Sequence, residues 1–444
     1  NEEILKKLES FGGKVNYDKK RVYFPKKFVE NFISESEKVD WENLKPKISY
    51  QASLYHGFYL DPFDNQYKKL NTEIFLKYFK IAQNIGIPFG GIYATQLPEV
   101  PEEVFLPYYH YLCLKFLDKP CCSINNKKWA DLILNLCEIY SEEKKFTLQD
   151  IISKGGLHIH FVSPLKFTRE ETEIFLFFAN KNLKIGIGIM DVMGTTSPVT
   201  IVGSVSLHLS SVIFKNILYR AFFGDKKLSI TSTITPLDMR TCVQCYGRPE
   251  KEIANIIMAQ MARRYNAEFF AHTGHSDAKI PGPEASIQKL INSLPSLFSS
   301  KTANICCGLL SIDEVYSPIQ MVIDKEIVEI VSKIVKWCVA GFKETYKKLK
   351  VKFDIWFYEH NYRGLGKNLV YQALAKEIAF KTEDGAVVAR LEDYGLPNCV
   401  ILRSDGTGLY LTSDLGLTVH KFEKFKLDKS IWVVSTQQSL HFKQ

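Results

Sequence analysis

Apolar residues along the chain fall into two alternating rhythms. Short runs rich in β-branched and aromatic residues mark strands at Phe89–Ala94, Pro120–Ile124, Leu157–Val162, Leu183–Met190, Leu228–Ile234, Glu268–His272 and Ala303–Leu310. Between them, apolar residues recur at helical spacing over Pro101–Phe116, Trp129–Ser141, Thr168–Asn180, Val199–Phe223, Pro249–Tyr265 and Glu284–Phe298. Strands alternating with helices in this way predict a parallel sheet. About seven such units in ~250 residues fit an α/β fold of the TIM-type (β/α)8 class better than a doubly wound sheet, although the pattern offers no obvious eighth strand.

The stretch Lys184–Thr200 is the clearest of these units. Ile185, Ile187 and Ile189 alternate with small residues, and the run then breaks at Asp191 into a Gly/Thr/Ser turn ending at Pro198. Proline suits the first turn of a helix, and Val205, Leu209, Val212, Ile213 and Ile217 continue with helical spacing. In a parallel α/β fold such a loop lies at the carboxyl end of its strand, where ligands bind.

The flanks have a different texture. Residues 1–85 read as an N-terminal helical cap with one short extended piece at Val22–Pro25 and a helix over Lys26–Ser36. Within it, Ser49–Tyr59 is unusually aromatic, which suits packing over a barrel end or the lining of a pocket. Residues 86–335 would form the barrel. After Glu329 a Lys-rich amphipathic helix leads into Phe353–Phe357, a further helix, a turn at Glu383-Asp384-Gly385 and two more strands, so residues 336–444 are expected to be a separate domain.

Composition narrows the class. The chain has 444 residues, 46% of them hydrophobic, enough for a large core. It has no run of eighteen apolar residues and its acidic, helical start is unlike a signal peptide, which predicts a cytoplasmic protein with no membrane partner. It begins at Asn1, not Met, which suggests a start further upstream. The net charge of +8 is dispersed, permitting an acidic partner without requiring one. Ten cysteines, several inside apolar runs, read as buried thiols, not as a disulfide framework.

Three loop ends carry most of the candidate chemistry: Asp191, Met193, Gly194, Thr195 and Thr196; then Asp238, Met239, Arg240, Tyr246, Arg248 and Glu250; then His272, His275 and Asp277. Polar groups delivered by three successive strands to one barrel mouth are what an active site requires, whereas helix caps and salt bridges explain single members better than the set. His158-Ile159-His160 places two imidazoles on one strand face and can hold a metal with His208, His272, His275 or Asp277, but without a fixed third ligand we assign no metal. Cys242-Val-Gln-Cys245 has zinc or redox spacing without a second pair. His272-Thr-Gly-His275 matches the ATP-binding signature of class I aminoacyl-tRNA synthetases, yet stands too late in the strand–helix series for it.

Several motifs in order resemble the trimethylamine methyltransferase family of corrinoid-dependent enzymes: Met193–Gly203, Pro236–Arg240, Tyr246–Glu250, Ala262–Tyr265, Ser276–Lys279 and Met321–Ile327. The likeness covers residues 1 to about 335. It implies a TIM barrel that takes a methyl group from a methylated amine and passes it to the Co(I) of a cobalamin carried by a cognate corrinoid protein. No pyrrolysine is present, so the resemblance is to the non-pyrrolysine branch, whose members favour quaternary amines such as glycine betaine. A quaternary amine has no N–H and is held by aromatic faces and carboxylates, for which Tyr55, Phe58, Tyr59, Tyr93 and Tyr246 are available.

The remaining segment is similar to the middle of the arginyl-tRNA synthetase catalytic domain through Phe353–Trp356, Val400–Thr407, Tyr410–Leu415 and Val433–Lys443. That resemblance implies a partial Rossmann-like class I core in which Tyr410, Asp414 and Gln438 recognise arginine, with ATP and tRNA as further substrates. A carboxylate such as Asp414 suits a guanidinium because it accepts paired hydrogen bonds. The synthetase's phosphate-binding loops have no counterpart here, and the barrel is expected to lack its final strand. The expected function is therefore corrinoid-dependent methyl transfer, with arginine–tRNA ligation or an inactive fused fragment as the alternatives.

Overall fold

The computed structural model describes residues 1–433 except 42–43, 56, 93–96, 122, 162, 356, 358–360 and 405, and except the side chains of 91–92, 335–343 and 345–346. It is a mixed α/β structure whose internal contacts divide into two compact units, Asn1–Ala340 and Gly341–Gln444.

Parallel pairing dominates the first unit. Thr302–Cys307 pairs with Lys47–Leu54, which pairs on its other side with Phe89–Ile92. Ser123 bridges to His158, and His158–Phe161 pairs with Gly186–Ile189. Asp191–Met193 pairs with Ile234–Asp238, and Ser229–Ser232 with Glu268–Ala271. The strand Lys47–Leu54 corrects the expectation for the aromatic segment. Its first half alternates exposed and half-buried residues and its end is buried, so a segment expected to be part of a cap is a strand with a parallel neighbour on each side.

Alternation along these strands explains their composition. Ile159, Phe161, Ile187, Ile189 and Ile230 face one buried cluster shared with the helices. His158 and His160 face the other way, each opposite a glycine: His158 with Gly186, His160 with Gly188. A Cβ on Gly188 would stand 2.6 Å from His160 Cδ2, so the Gly-Ile-Gly-Ile run leaves room for an imidazole on the neighbouring strand.

The helix Ile201–Phe223 starts at Thr200, whose side chain accepts from Gly203 N, and ends at Gly224 in the left-handed conformation. It is long and apolar enough to cross a membrane, but half of its most apolar window is buried and its polar side chains serve neighbouring strands. Among the described residues no ladder joins Gly186–Ile189 to Ser229–Ser232, and this helix supplies the missing bonds. Tyr219 donates to the Ile185 carbonyl at 2.9 Å, Asn216 brackets Ser229 through its carbonyl (2.9 Å) and N–H (3.0 Å), and His208 Nε2 meets the Thr231 carbonyl at 3.0 Å. A core helix thus replaces part of a sheet ladder.

The second unit contains an antiparallel sheet, Ala379–Lys381, Val387–Ala389 and Cys399–Leu402, with a glycine-mediated turn at Gly385. Helices Arg363–Ala375 and Tyr410–Phe425 pack backbone to backbone: a Cβ on Gly366 would meet the Thr412 carbonyl at 1.8 Å. Val370, Ala379, Val387, Ile401 and Leu402 form its core.

Candidate functional site

The Gly-Thr-Thr-Ser loop closes on itself. Gly194 supplies a positive φ of 91°, Thr196 Oγ1 accepts from Val192 N at 2.9 Å, and Thr195 Oγ1 donates to the Val192 carbonyl at 3.3 Å. Ser197 and Ser204 hydroxyls are 2.6 Å apart and tie the loop to the first turn of its helix.

Asp191 is fully buried beneath that loop. Ser163 donates to one of its oxygens, and His208 Nδ1 lies 2.5 Å from the other. The second His208 nitrogen faces a carbonyl, which can only accept, so Nε2 is the donor there. Both carboxylate oxygens are engaged inside the fold. Asp238 and Arg240 form a local turn: Arg240 N donates to Asp238 at 2.9 Å, and this bond holds the carboxyl below its ordinary value. The Arg240 side chain is largely exposed.

The structure brings the remaining residues together. Asp277 accepts from the backbone N–H groups of Tyr246, at 2.5 Å, and Gly247, at 2.9 Å, fixing the Tyr246 loop against the one that follows Glu268–Ala271. The Tyr246 ring stands edge-on to both His272 and His275, at 5.2 Å from each. The two imidazoles are stacked, with centroids 3.6 Å apart and planes at 23°. Gly274 makes the turn between them with φ 72°, and a Cβ there would lie 2.5 Å from Ile305 Cα. Asn292 holds the turn, accepting from Gly274 N at 2.6 Å and donating to the His275 carbonyl at 2.8 Å.

Two residues of this cluster have no signal in the sequence. Asp313 accepts from His275 Nδ1 at 2.8 Å, in a segment where Ser311, Ile312 and Asp313 all adopt positive φ. Lys251, from Pro249–Tyr265, is fully buried, donates to the His272 carbonyl and lies 3.5 Å from Glu252. Burial lowers Lys251 and raises Glu252, and it holds both imidazoles well below their ordinary value. His272 and His275 are therefore neutral at physiological pH. Tyr246, His272, His275 and Asp313 together present aromatic faces, nitrogen lone pairs and one carboxylate in a nearly dry setting.

The histidine pair on the strand is separate. His158 Nδ1 donates to the Gly156 carbonyl at 2.7 Å, and His160 stands edge-on to it at 4.6 Å. His160 is open to solvent on one side yet closely surrounded, and that burial lowers it to about 4. In the second unit Tyr410 and Asp414 lie one turn apart on a helix, with Tyr410 largely exposed. Gln438, expected to join them, and Tyr93, expected among the aromatic residues around the amine, lie outside the described residues.

A family model described as trimethylamine methyltransferase (MTTB) matches residues 107–345, just over half of the chain. The chain belongs to this family. The matched span of this methyltransferase-family chain includes Asp191, Tyr246, His272, His275 and Asp313. A second model, class I tRNA synthetases (R), catalytic domain, matches residues 313–444. The arginine–tRNA ligase of Bacteroides fragilis is 44% identical over 106 residues, 24% of this chain and 18% of the relative. Those of Parabacteroides distasonis (40% over 119 residues, 27% of this chain and 20% of the relative) and Borrelia garinii subsp. bavariensis (37% over 127, 27% and 22%) match similarly. The chain thus spans about a fifth of the length of these curated relatives. A crystal structure of catalytic-site mutants of active domain 2 of chitinase from Pyrococcus furiosus overlays with a TM-score of 0.32 at 12% identity, covering 53% of this chain and 79% of that one, too loose a likeness to fix a fold.

Proposed function

We propose that the first unit is a methyltransferase that moves a methyl group from a methylated, quaternary amine such as a betaine to the cobalt of a corrinoid carried by a cognate partner protein. The observation that carries this reading is the convergence, inside the span matched by the methyltransferase family, of Tyr246, His272 and His275 at the ends of two strands. Neutral ring faces suit a permanent cation that has no hydrogen to donate. The reaction breaks the C–N bond with both electrons left on the amine, and Co(I) supplies the pair that forms the Co–C bond. No proton needs to move, in keeping with imidazoles that burial keeps neutral.

The same reading includes a closed (β/α)8 barrel. What supports it is that the late strand Thr302–Cys307 pairs in parallel with the early strand Lys47–Leu54. Lys47–Leu54 then supplies the strand that the hydrophobic pattern does not offer, and a further strand beyond the Met321–Ile327 motif is unnecessary for closure. Thr273 Oγ1, just beyond Glu268–Ala271, ties that strand to Thr302–Cys307, donating to the Asn304 carbonyl at 2.6 Å and accepting from Asn304 N at 2.9 Å.

The test is incubation of the chain with a reduced corrinoid protein and a panel of methylated amines while the Co(I) spectrum is followed. Conversion to methyl-Co(III) with a quaternary amine supports the reading, and no conversion with any amine overturns it. Arginine–tRNA ligation is the second reading, favoured by the class I tRNA synthetase (R) match over residues 313–444 and by 44% identity to one arginine–tRNA ligase over 106 residues. Arginine-dependent exchange between ATP and pyrophosphate would support it; we expect none.

A further inference from the structure

The histidine stack contains two nitrogens that the fold leaves unsatisfied. His272 Nδ1 and His275 Nε2 are enclosed and have no hydrogen-bond partner. Such orphans are costly, and a native fold rarely keeps two side by side without a use. His275 is fully buried, whereas His272 is half-buried with its Nδ1 edge turned inward. The carboxylate of Asp313 at 2.8 Å fixes the proton of His275 on Nδ1, so its Nε2 is a bare lone pair. Among the described residues no donor approaches either orphan nitrogen. With the His272 proton on Nε2, both inward nitrogens are lone pairs, which a Lewis acid satisfies together.

We propose that His272 Nδ1 and His275 Nε2, with Asp313 bound to the back of His275, form a site for a divalent transition-metal ion of the zinc class. A carboxylate that holds the far nitrogen of a ligating imidazole is the usual support of such ligands. Imidazole is a donor this class of ion prefers, and His272, His275 and Asp313 bring their donor atoms within 4.8 Å of one another. Zinc–nitrogen bonds of ~2.0–2.1 Å place two tetrahedral ligands roughly 3.4 Å apart, inside the 4.8 Å span of the donor atoms. Rotation of His272 about its soft Cβ–Cγ torsion turns its lone pair out of the stack, and its half-exposed position gives it room. Lys251 donates to the His272 carbonyl, which anchors the backbone during that rotation. The other coordination positions are left for water or for an anionic oxygen of a ligand, and Tyr246 forms the wall beside them.

The proposal is independent of methyl transfer, because it is read from metal content and spectrum alone. The full chain is stripped with chelator, loaded with zinc or Co(II), desalted and analysed. The expected result is about one equivalent of metal per chain. With Co(II), a visible ligand-field band should appear without a thiolate charge-transfer band. Both should persist in the C242S/C245S variant and disappear in His275→Gln, and D313N should weaken binding by roughly 10–100-fold. An unfolded variant is recognised by circular dichroism, in which case the wild-type cobalt spectrum decides by itself. The proposal is overturned by a chain that retains no metal, by a cobalt spectrum with a thiolate band lost in C242S/C245S, or by unchanged binding in folded His275→Gln.

Discussion

Lys289 Nζ lies 2.5 Å from Asp324 Oδ2, and neither side chain touches solvent. The pair joins Pro283–Ser300 to Pro318–Lys348, and the remaining capacity of the carboxylate is used by Gly308 N and Gln320 Nε2, both at 2.7 Å. Lys289 also donates to the Cys306 carbonyl at 2.8 Å. The Asp324 of the Met321–Ile327 motif thus clamps a turn at Gly308.

Breaking this pair from one side leaves a buried charge without its partner. Lys289→Met is expected to cost about 3–5 kcal/mol in urea unfolding, and the K289M/D324L double variant much less than the sum. Additive losses would show that the two residues are not coupled.

Lys215 is a buried cation whose one hydrogen-bond partner among the described residues is Thr231 Oγ1, weakly held at 3.5 Å. Burial, and secondarily the Lys184 charge, lowers it to about 8. Above that value the folded chain has released a proton that the unfolded chain still binds up to its ordinary value near 10.5. Stability attributable to this group therefore rises with pH between those values, by at most ~1.4 kcal/mol per pH unit. Unfolding free energies from pH 7.5 to 10 should climb less steeply in Lys215→Met than in the native chain, and the variant should be the more stable at the acidic end. Parallel curves would contradict this.

Gly274 is the one residue type that fits between His272 and His275. Alanine there meets both the left-handed conformation and the Ile305 backbone at 2.5 Å. Gly274→Ala should lose about 2–4 kcal/mol in thermal or urea unfolding and displace the histidine stack. A variant with unchanged stability would mean that the turn is not built as described.

Thiol reactivity should separate the cysteines. Cys242 is exposed, whereas Cys113, Cys121, Cys137, Cys306 and Cys307 are buried, with burial pushing Cys137 and Cys307 up to about 12. Among these six, peptide mapping after brief alkylation of the native chain should find label at Cys242 long before the others. Early label at Cys306 or Cys307 would show that the cluster behind Asp313 is open to solvent.

Periodicity was enough to locate helices such as Pro249–Tyr265 and strands such as Gly186–Ile189, because their apolar faces repeat at the spacing of the element. It did not reveal Lys47–Leu54, whose neighbours are residues 302–307 and 89–92, so its half-exposed aromatic pattern matches no local template. The helix that begins just after Pro198 was legible from neighbouring residues. The roles of Asp191 and His208, seventeen positions apart, were not.

The sequence by itself determined the alternating elements, the loop ends that carry polar groups, and a composition shift in the region of the two compact units, because these depend on residues a few positions apart. Only the tertiary structure decided which polar residues meet. Hydrogen bonds and ring contacts depend on distances across the fold, and these assign Asp191 to a buried support with His208, Asp238 to a surface turn, and Tyr246, His272, His275 and Asp313 to one enclosed cluster.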